Sequence, residues 1–376
     1  MKYYIIAGEA SGDLHGSRLI RAIKSNDPTA LIHSWGGDLM QEEGALLVRH
    51  FRDLAFMGFI EVVSNIKTVI NNLSFCKKDI LAFQPDVVIF IDYPGFNLPI
   101  AKWAKSNGFK TAYYISPQLW AWKEKRIHTI KKVIDLMLVI LPFEKAFYKK
   151  WEYNAEYVGH PLIEIIEEFK KSIDPSVLKN SIQQIPGKKI VAILPGSRKQ
   201  EIAAKLPIML EATRHFDQIE FVVAQAPGIE DDYILHFTQG YKHISILKNQ
   251  TYSLLSIADA AMVSSGTATL EAALFGVPEV VCYKTSRISY EIANYFIKVK
   301  FISLVNLILN KQVVKELIQD DLQPENIVEE LKSIIDEGSK REQMLNQFIE
   351  LKNILKTGGS ASSNAAFHIH RLLNKS

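Results

Sequence analysis

Residues 84–97 read QPDVVIFIDYPGFN. Five consecutive apolar residues, Val87 to Ile91, follow Pro85 and Asp86. A strand that is apolar at every position has no solvent face. It reads as a strand of a parallel sheet covered by helices on both sides. Asp92 then stands at the carboxyl end of that strand, Pro94 and Gly95 force a turn, and Asn97 is placed to cap the next helix. In open α/β sheets, ligands bind at this edge. Asp92 is therefore either an Asx-turn aspartate or a general base for an incoming hydroxyl.

The same kind of strand recurs on both sides of this stretch. Candidate strands fall at 3–7, 31–35, 86–91, 111–115 and 136–141, and again at 189–194, 220–224, 244–247, 261–264 and 279–282. Segments of helical period lie between most of them. Alternating strands and helices predict a doubly wound α/β fold. The rhythm occurs twice, with a charged helical stretch near 162–180 between the two sets. Two Rossmann-like domains facing across a cleft are expected, at 1–165 and 166–350. The last residues, 351–376, read as helices that either return to the first domain or pack on a second copy of the chain.

Composition excludes several classes. With 48% apolar and 23% charged residues, 376 residues supply a core for each of two domains and rule out disorder and coiled coil. Forty-four basic against 41 acidic residues is too even for a general nucleic-acid binder. Two cysteines make neither a disulfide framework nor a four-ligand zinc site. No apolar run reaches the length of a membrane span, and MKYYIIAGEASGD reads as a buried first strand rather than a leader, so a cytoplasmic protein is expected.

Five strand-to-helix loops carry the candidate chemistry. The first, GEASGD at 8–13, places Glu9, Ser11 and Gly12 before a helix expected to begin near Asp13, and His15 follows; small residues let the backbone approach a ligand. The second holds Asp92 and Asn97. The third, SPQLWAWKEKR at 116–126, sets Trp120 and Trp122 beside Lys125 and Arg126, a solvated helix face or a surface for an amphiphile with an anionic head. The fourth, LPGSRKQE at 194–201, offers Gly196, Ser197 and Arg198 at a helix start; a cation there opposes the helix dipole, which points to a held anion such as a diphosphate. The fifth, SSGTATLEAALFGVP at 264–278, delivers Ser265 and Gly266 to a helix capped by Thr267, with Glu271 one turn in, suited to two ribose hydroxyls.

No two aspartates are spaced D-x-D, so no metal site and no cofactor is expected, and a departing diphosphate would be stabilised by Arg198 and helix dipoles. The stretch 56–75, FMGFIEVVSNIKTVINNLSF, carries a helical apolar stripe. It is a core helix, or else Phe56, Met57 and Phe59 dip into a lipid interface.

Taken together, these loops resemble the lipid-A-disaccharide synthase family. The likeness runs from Ile5 to about Gln323 and includes GEASGDLHG, QPDVVIFIDYPGFN, YYISPQLWAW, LPFEKAFY, VGHP, LPGSR and SSGTATLEAALFGVP. It implies the two-domain glycosyltransferase B (GT-B) fold and an inverting reaction without metal. The implied reaction joins UDP-2,3-diacylglucosamine to 2,3-diacylglucosamine 1-phosphate, giving a β-1,6 disaccharide 1-phosphate and UDP. It also implies peripheral attachment to the inner membrane of a Gram-negative bacterium. The family's essential aspartate falls on Asp92, its essential arginine on Arg198 and its helix glutamate on Glu271. His15 is the competing base. Gly95 stands where the family often has a second aspartate, and Val305 precedes Asn306 where the family often has proline; Asn306 itself is retained as a site residue. Two alternatives share the fold: a UDP-N-acetylglucosamine 2-epimerase-like enzyme, and a non-catalytic UDP-sugar-binding protein. The chain lacks the G-T-R-P-E loop of such epimerases.

Overall fold

A computed structural model describes the chain apart from residues 55–65, 122–123, 183–186, 242, 288–289, 291–298 and 375–376. It divides into two compact units, Met1–Pro161 with Leu355–Ser376, and Leu162–Ile354.

In the first unit, seven described strands form one sheet in the order β3-β2-β1-β4-β5-β6-β7. They are β1 Lys2–Ala7, β2 Leu31–Gly36, β3 Leu46–His50, β4 Val87–Ile91, β5 Lys110–Tyr114, β6 Leu136–Val139 and β7 Ala155–Tyr157. Every pairing is parallel. The uninterrupted apolar run of β4 is explained by its two faces. Val88 and Phe90 enter one core with Tyr4 and Ile6. Val87, Ile89 and Ile91 enter another with Tyr3, Ile5 and Ala7. Alternate residues of a strand point to opposite faces, so a strand between two helical layers must be apolar throughout.

The second core also receives the C-terminal helix Ala361–Asn374 through Ala361, Ala365, Ala366 and Ile369. Lys110 Nζ donates to the carbonyls of Leu372 and Leu373 at 3.1 and 3.2 Å, a cation at a helix C-terminus. Gly159 (φ +94°) packs on Gly358, where a Cβ added to Gly358 would lie 2.4 Å from the Gly159 Cα. The tail thus returns to the unit that holds the N-terminus.

In the second unit, six described strands run β10-β9-β8-β11-β12-β13. They are β8 Lys189–Leu194, β9 Ile219–Gln225, β10 Ile244–Lys248, β11 Ala260–Ser264, β12 Glu279–Tyr283 and β13 Lys315–Ile318. Strand order reverses between β1 and β4 in one sheet and between β8 and β11 in the other. At such a reversal the two following helices lie on opposite faces, which opens a crevice at the carboxyl edge. The loops after β1, β4, β8 and β11 are four of the five singled out from sequence.

The doubly wound α/β expectation holds in both units. Three strands, β3, β7 and β13, are additional to it. Three local expectations change. The first helix spans Ala10–Asn26 with Glu9 at its N-cap, so Asp13 lies within it. Asp13 instead accepts from the backbone N–H of Gly37, Leu39 and Met40 at 2.7, 3.2 and 3.1 Å, and so caps the short helix Asp38–Glu42. Tyr93 rather than Asn97 is the N-cap of Pro94–Ser106, because Pro94 supplies the first helical residue. Gly266 rather than Thr267 caps Thr267–Phe275, with φ +150° that glycine adopts readily.

Candidate functional site

In the first unit, the loops after β1 and β4 press together. A Cβ on Gly8 would lie 2.3 Å from Tyr93 Cδ1, so only glycine admits the Tyr93 ring. Asp92 and Tyr93 both have left-handed backbone, φ +43° and +46°. Non-glycine residues in that region carry about 1–3 kcal/mol of strain, so the surroundings must hold them. The Asp92 N–H donates to Tyr114 O at 3.2 Å. The Asp92 carbonyl accepts from Tyr113 OH at 2.5 Å and from Asn97 Nδ2 at 2.7 Å. Asn97 is wholly buried, and its amide also reaches the Ile91 carbonyl at 3.2 Å. It stands behind the Asp92 backbone, shaping the loop.

Asp92 is exposed by surface area yet densely surrounded by protein. Lost hydration, and then the Glu9 carboxylate, push its carboxyl up to about 6. Near neutral pH it is ionised and more basic than an ordinary aspartate. His15 moves the other way. Lost hydration and the Arg18 cation lower its imidazole to about 4. Burial thus makes Asp92 more basic and His15 less so, which favours Asp92 as proton acceptor.

The other first-unit candidates divide by exposure. Ser11 is exposed; Gly12 is buried, and its absent side chain lets the helix Ala10–Asn26 sit on Ala7, whose Cβ would be 3.0 Å away. Lys125 is exposed and Arg126 half-buried in the turn Glu124–Arg126. Trp120 is half-buried, edge-on to Phe143 at 4.9 Å. Its Nε1 donates at 3.2 Å to Glu144, a buried acid missing from the sequence reading. Glu144 also accepts from Leu141 N at 3.0 Å and Ile140 N at 3.2 Å. Lost hydration raises its carboxyl to about 7. Trp122, Phe56, Met57 and Phe59 lie outside the described residues.

In the second unit, seven candidates line one cavity of about 400 Å³: Gly196, Ser197, Arg198, Ser265, Gly266, Thr267 and Glu271. The convergence follows from the sheet. β8 pairs with β11, Leu194 beside Val263, so the loops leaving them are neighbours although about 70 residues apart. Gly196 has φ +120° and faces Glu201, whose Oε2 would lie 2.5 Å from a Cβ there. Arg198 is the N-cap of Lys199–Thr213, more than half exposed and 3.8 Å from Glu201. Two helices therefore start at this cavity with no side-chain cap on their first N–H groups, a setting for an anion. Glu271 accepts from Tyr252 OH at 2.8 Å, and lost hydration raises its carboxyl.

Asn306 is not among the cavity residues. It is wholly buried, donating to Val314 O and Glu316 Oε1 and accepting from the N–H groups of Val313 and Val314. Glu316 also accepts from Ile302 N and Ser303 N. The Ile302 carbonyl in turn accepts from Ser265 Oγ at 3.1 Å, which links Asn306 indirectly to the cavity wall.

The family described as lipid-A-disaccharide synthetase matches residues 3–367. The lipid-A-disaccharide synthase of Syntrophus aciditrophicus is 37% identical over 99% of this chain and 98% of its own. A solved UDP-GlcNAc 2-epimerase from Neisseria meningitidis, bound to UDP-GlcNAc, superposes with a TM-score of 0.70 at 14% identity, covering 100% of both chains. The glycosyltransferase of kitacinnamycin superposes at 0.67 and 13% identity, covering 99% of both chains. These two structural likenesses show the fold.

Proposed function

The chain belongs to the lipid-A-disaccharide synthase family, and we propose the following division of the reaction among its residues. The protein is a glycosyltransferase of the GT-B fold that acts in lipid A biosynthesis. The epimerase-like alternative is not favoured, because the epimerase resemblance extends to fold alone whereas the family match covers nearly the whole chain.

The second unit takes the UDP of UDP-2,3-diacylglucosamine. Arg198 and the N–H groups at the starts of Lys199–Thr213 and Thr267–Phe275 hold the diphosphate, and Glu271 accepts from the ribose. The first unit supplies Asp92 to the 6-hydroxyl of 2,3-diacylglucosamine 1-phosphate. The sugar C1–O bond to UDP breaks with its electron pair leaving on the diphosphate. The acceptor oxygen bonds to C1 from the opposite face, and its proton passes to Asp92. The anomeric centre inverts. Negative charge grows on the leaving diphosphate, so the largest catalytic effect is electrostatic. A cation and helix N–H groups serve that charge without a metal. Glu9, Ser11, Gly12 and His15 line the acceptor side, and Lys125 and Arg126 meet its phosphate.

The acyl chains call for an apolar surface. Ile70 and Phe75 are exposed on Ile66–Phe83, at 57% and 41%. Among the described residues no helix is long and apolar enough to cross a membrane. The exposed apolar pair supports peripheral attachment to a membrane surface, and the family resemblance implies the inner membrane. Liposome flotation of an Ile70→Ser/Phe75→Ser variant tests it; unchanged partitioning would count against this surface.

One observation carries the reading of the donor site: seven residues chosen for phosphate and ribose chemistry line a single cavity. The test is to incubate purified protein with both lipids in detergent and EDTA and to follow disaccharide by mass spectrometry. Disaccharide formed in EDTA is the expected result. Its absence, with UDP still bound, would overturn the proposed reaction.

A further inference from the structure

Lys205 lies two turns into Lys199–Thr213 and is 2% exposed. Its ammonium donates to Ser264 Oγ, at the end of β11 and in the wall of the donor cavity. Among the described residues its nearest carboxylate oxygen is Glu201 Oε2, 4.0 Å away. The other Glu201 oxygen is 3.8 Å from Arg198 Nη1. One partly exposed acid thus stands between two cations, in close contact with neither.

For folding alone this is a poor arrangement. A buried ammonium needs a close counter-ion or several acceptors, and a hydroxyl plus a shared, distant acid is weak compensation. Lost hydration lowers its pKa, opposed chiefly by Glu201. Lys199 and Lys248 of the same unit have a close acid at the surface, Glu230 at 2.8 Å and Asp231 at 2.6 Å. Lys205 instead points at the wall of a cavity lined by Arg198 and two helix starts. An anion in that cavity would supply the missing counter-charge, in a setting where the field of a dry cation is strong.

We propose that Lys205 is a second cation of the donor cavity, holding Ser264 and stabilising the negative charge that develops on the departing diphosphate. This rests on the reading of the cavity as the UDP site. Lys205 is a positioning and electrostatic residue, buried behind Ser264. Arg198 faces the phosphates from the open side and Lys205 from beneath.

The test measures uridine, UMP and UDP binding by calorimetry for the full chain and for Lys205→Met and Lys205→Gln, with thermal melts of each. A charge role predicts a loss that grows with phosphate number. UDP weakens by on the order of 10- to 100-fold and uridine by less than about 2-fold. The melting temperature of Lys205→Met is unchanged or higher, because a buried charge has gone. An equal loss for uridine and UDP with a lower melting temperature would mean a packing role and overturn the inference. Unchanged UDP affinity would do the same. If Lys205→Met does not fold, Lys205→Gln, which keeps a donor to Ser264 without the charge, is judged by the same comparison. A wild-type protein that binds no UDP would remove the reading of the cavity itself, and this inference with it.

Discussion

The Tyr113 hydroxyl donates to the main-chain oxygen of Asp92, from the neighbouring strand and 21 residues further along the chain. It pins a residue whose own φ is +43°. Removing the hydroxyl leaves the carboxylate in place but frees the backbone that aims it. Tyr113→Phe should lower kcat by about 10-fold, the size expected for one lost hydrogen bond and a loosened geometry. Donor KM should stay unchanged. Steady-state kinetics at saturating acceptor decide it; a change in donor KM alone would contradict this role.

Asp92→Asn should lower kcat by roughly 100- to 10,000-fold. In the wild type the base must be ionised, so activity should rise with pH through about 6 and level off above it. If activity instead followed a group near 4, His15 would be the base. The same shift bears on stability. A carboxyl raised in the fold contributes stability below its unfolded pKa, and that contribution is lost as pH rises through about 6. Asp92→Asn should therefore gain stability over wild type at pH 8 relative to pH 4, as seen in paired thermal melts.

Arg198→Ala should reduce kcat by roughly 100- to 1,000-fold, as for removal of one donor to a developing anion. UDP binding should weaken with it. Arg198→Lys keeps the charge but loses the planar fork, and should recover only part of the rate. Full activity in the alanine variant would exclude Arg198 from the leaving-group site.

Glu144 ties Trp120 to the turn before Pro142–Lys150. Glu144→Gln can place an amide N–H against the Trp120 N–H, or against those of Ile140 and Leu141. Trp120 should then loosen, with a shifted fluorescence maximum and a raised acceptor KM. Burial raises Glu144 to about 7, so its contribution to stability is complete below the unfolded pKa and is lost as pH rises through about 7. The melting temperature of Glu144→Gln relative to wild type should therefore be higher at pH 8 than at pH 5. A difference that stayed flat with pH would argue against a buried, proton-bearing Glu144.

The central strands were legible from the residues alone. VVIFI and IVAIL are apolar on both faces because helices cover both. The three strands that pattern did not reveal are all sheet edges: LLVRH, AEY and KELI. An edge strand pairs on one side only and is half exposed, so nothing requires it to be apolar throughout. Its identity comes from the neighbour it pairs with.

The candidate loops divide in the same way. Asp92, Arg198 and Glu271 stand out as candidates because each follows an apolar strand at a carboxyl edge, and strand and loop are adjacent in sequence. Tyr113, Glu144 and Lys205 do not. Tyr113 lies within a buried strand, Glu144 reads as an ordinary first-turn acid, and Lys205 reads as a surface lysine. Their roles depend on partners 21, 24 and 59 residues away. Periodicity is local, so the amino-acid order by itself determined the two parallel sheets and which loops emerge at their carboxyl edges. Strand order and the exclusion of water are not local. Only the tertiary structure decided which loops meet at each reversal, that burial raises the Asp92 carboxyl and lowers the His15 imidazole, and that a lysine charge is buried behind the cavity where β8 and β11 end.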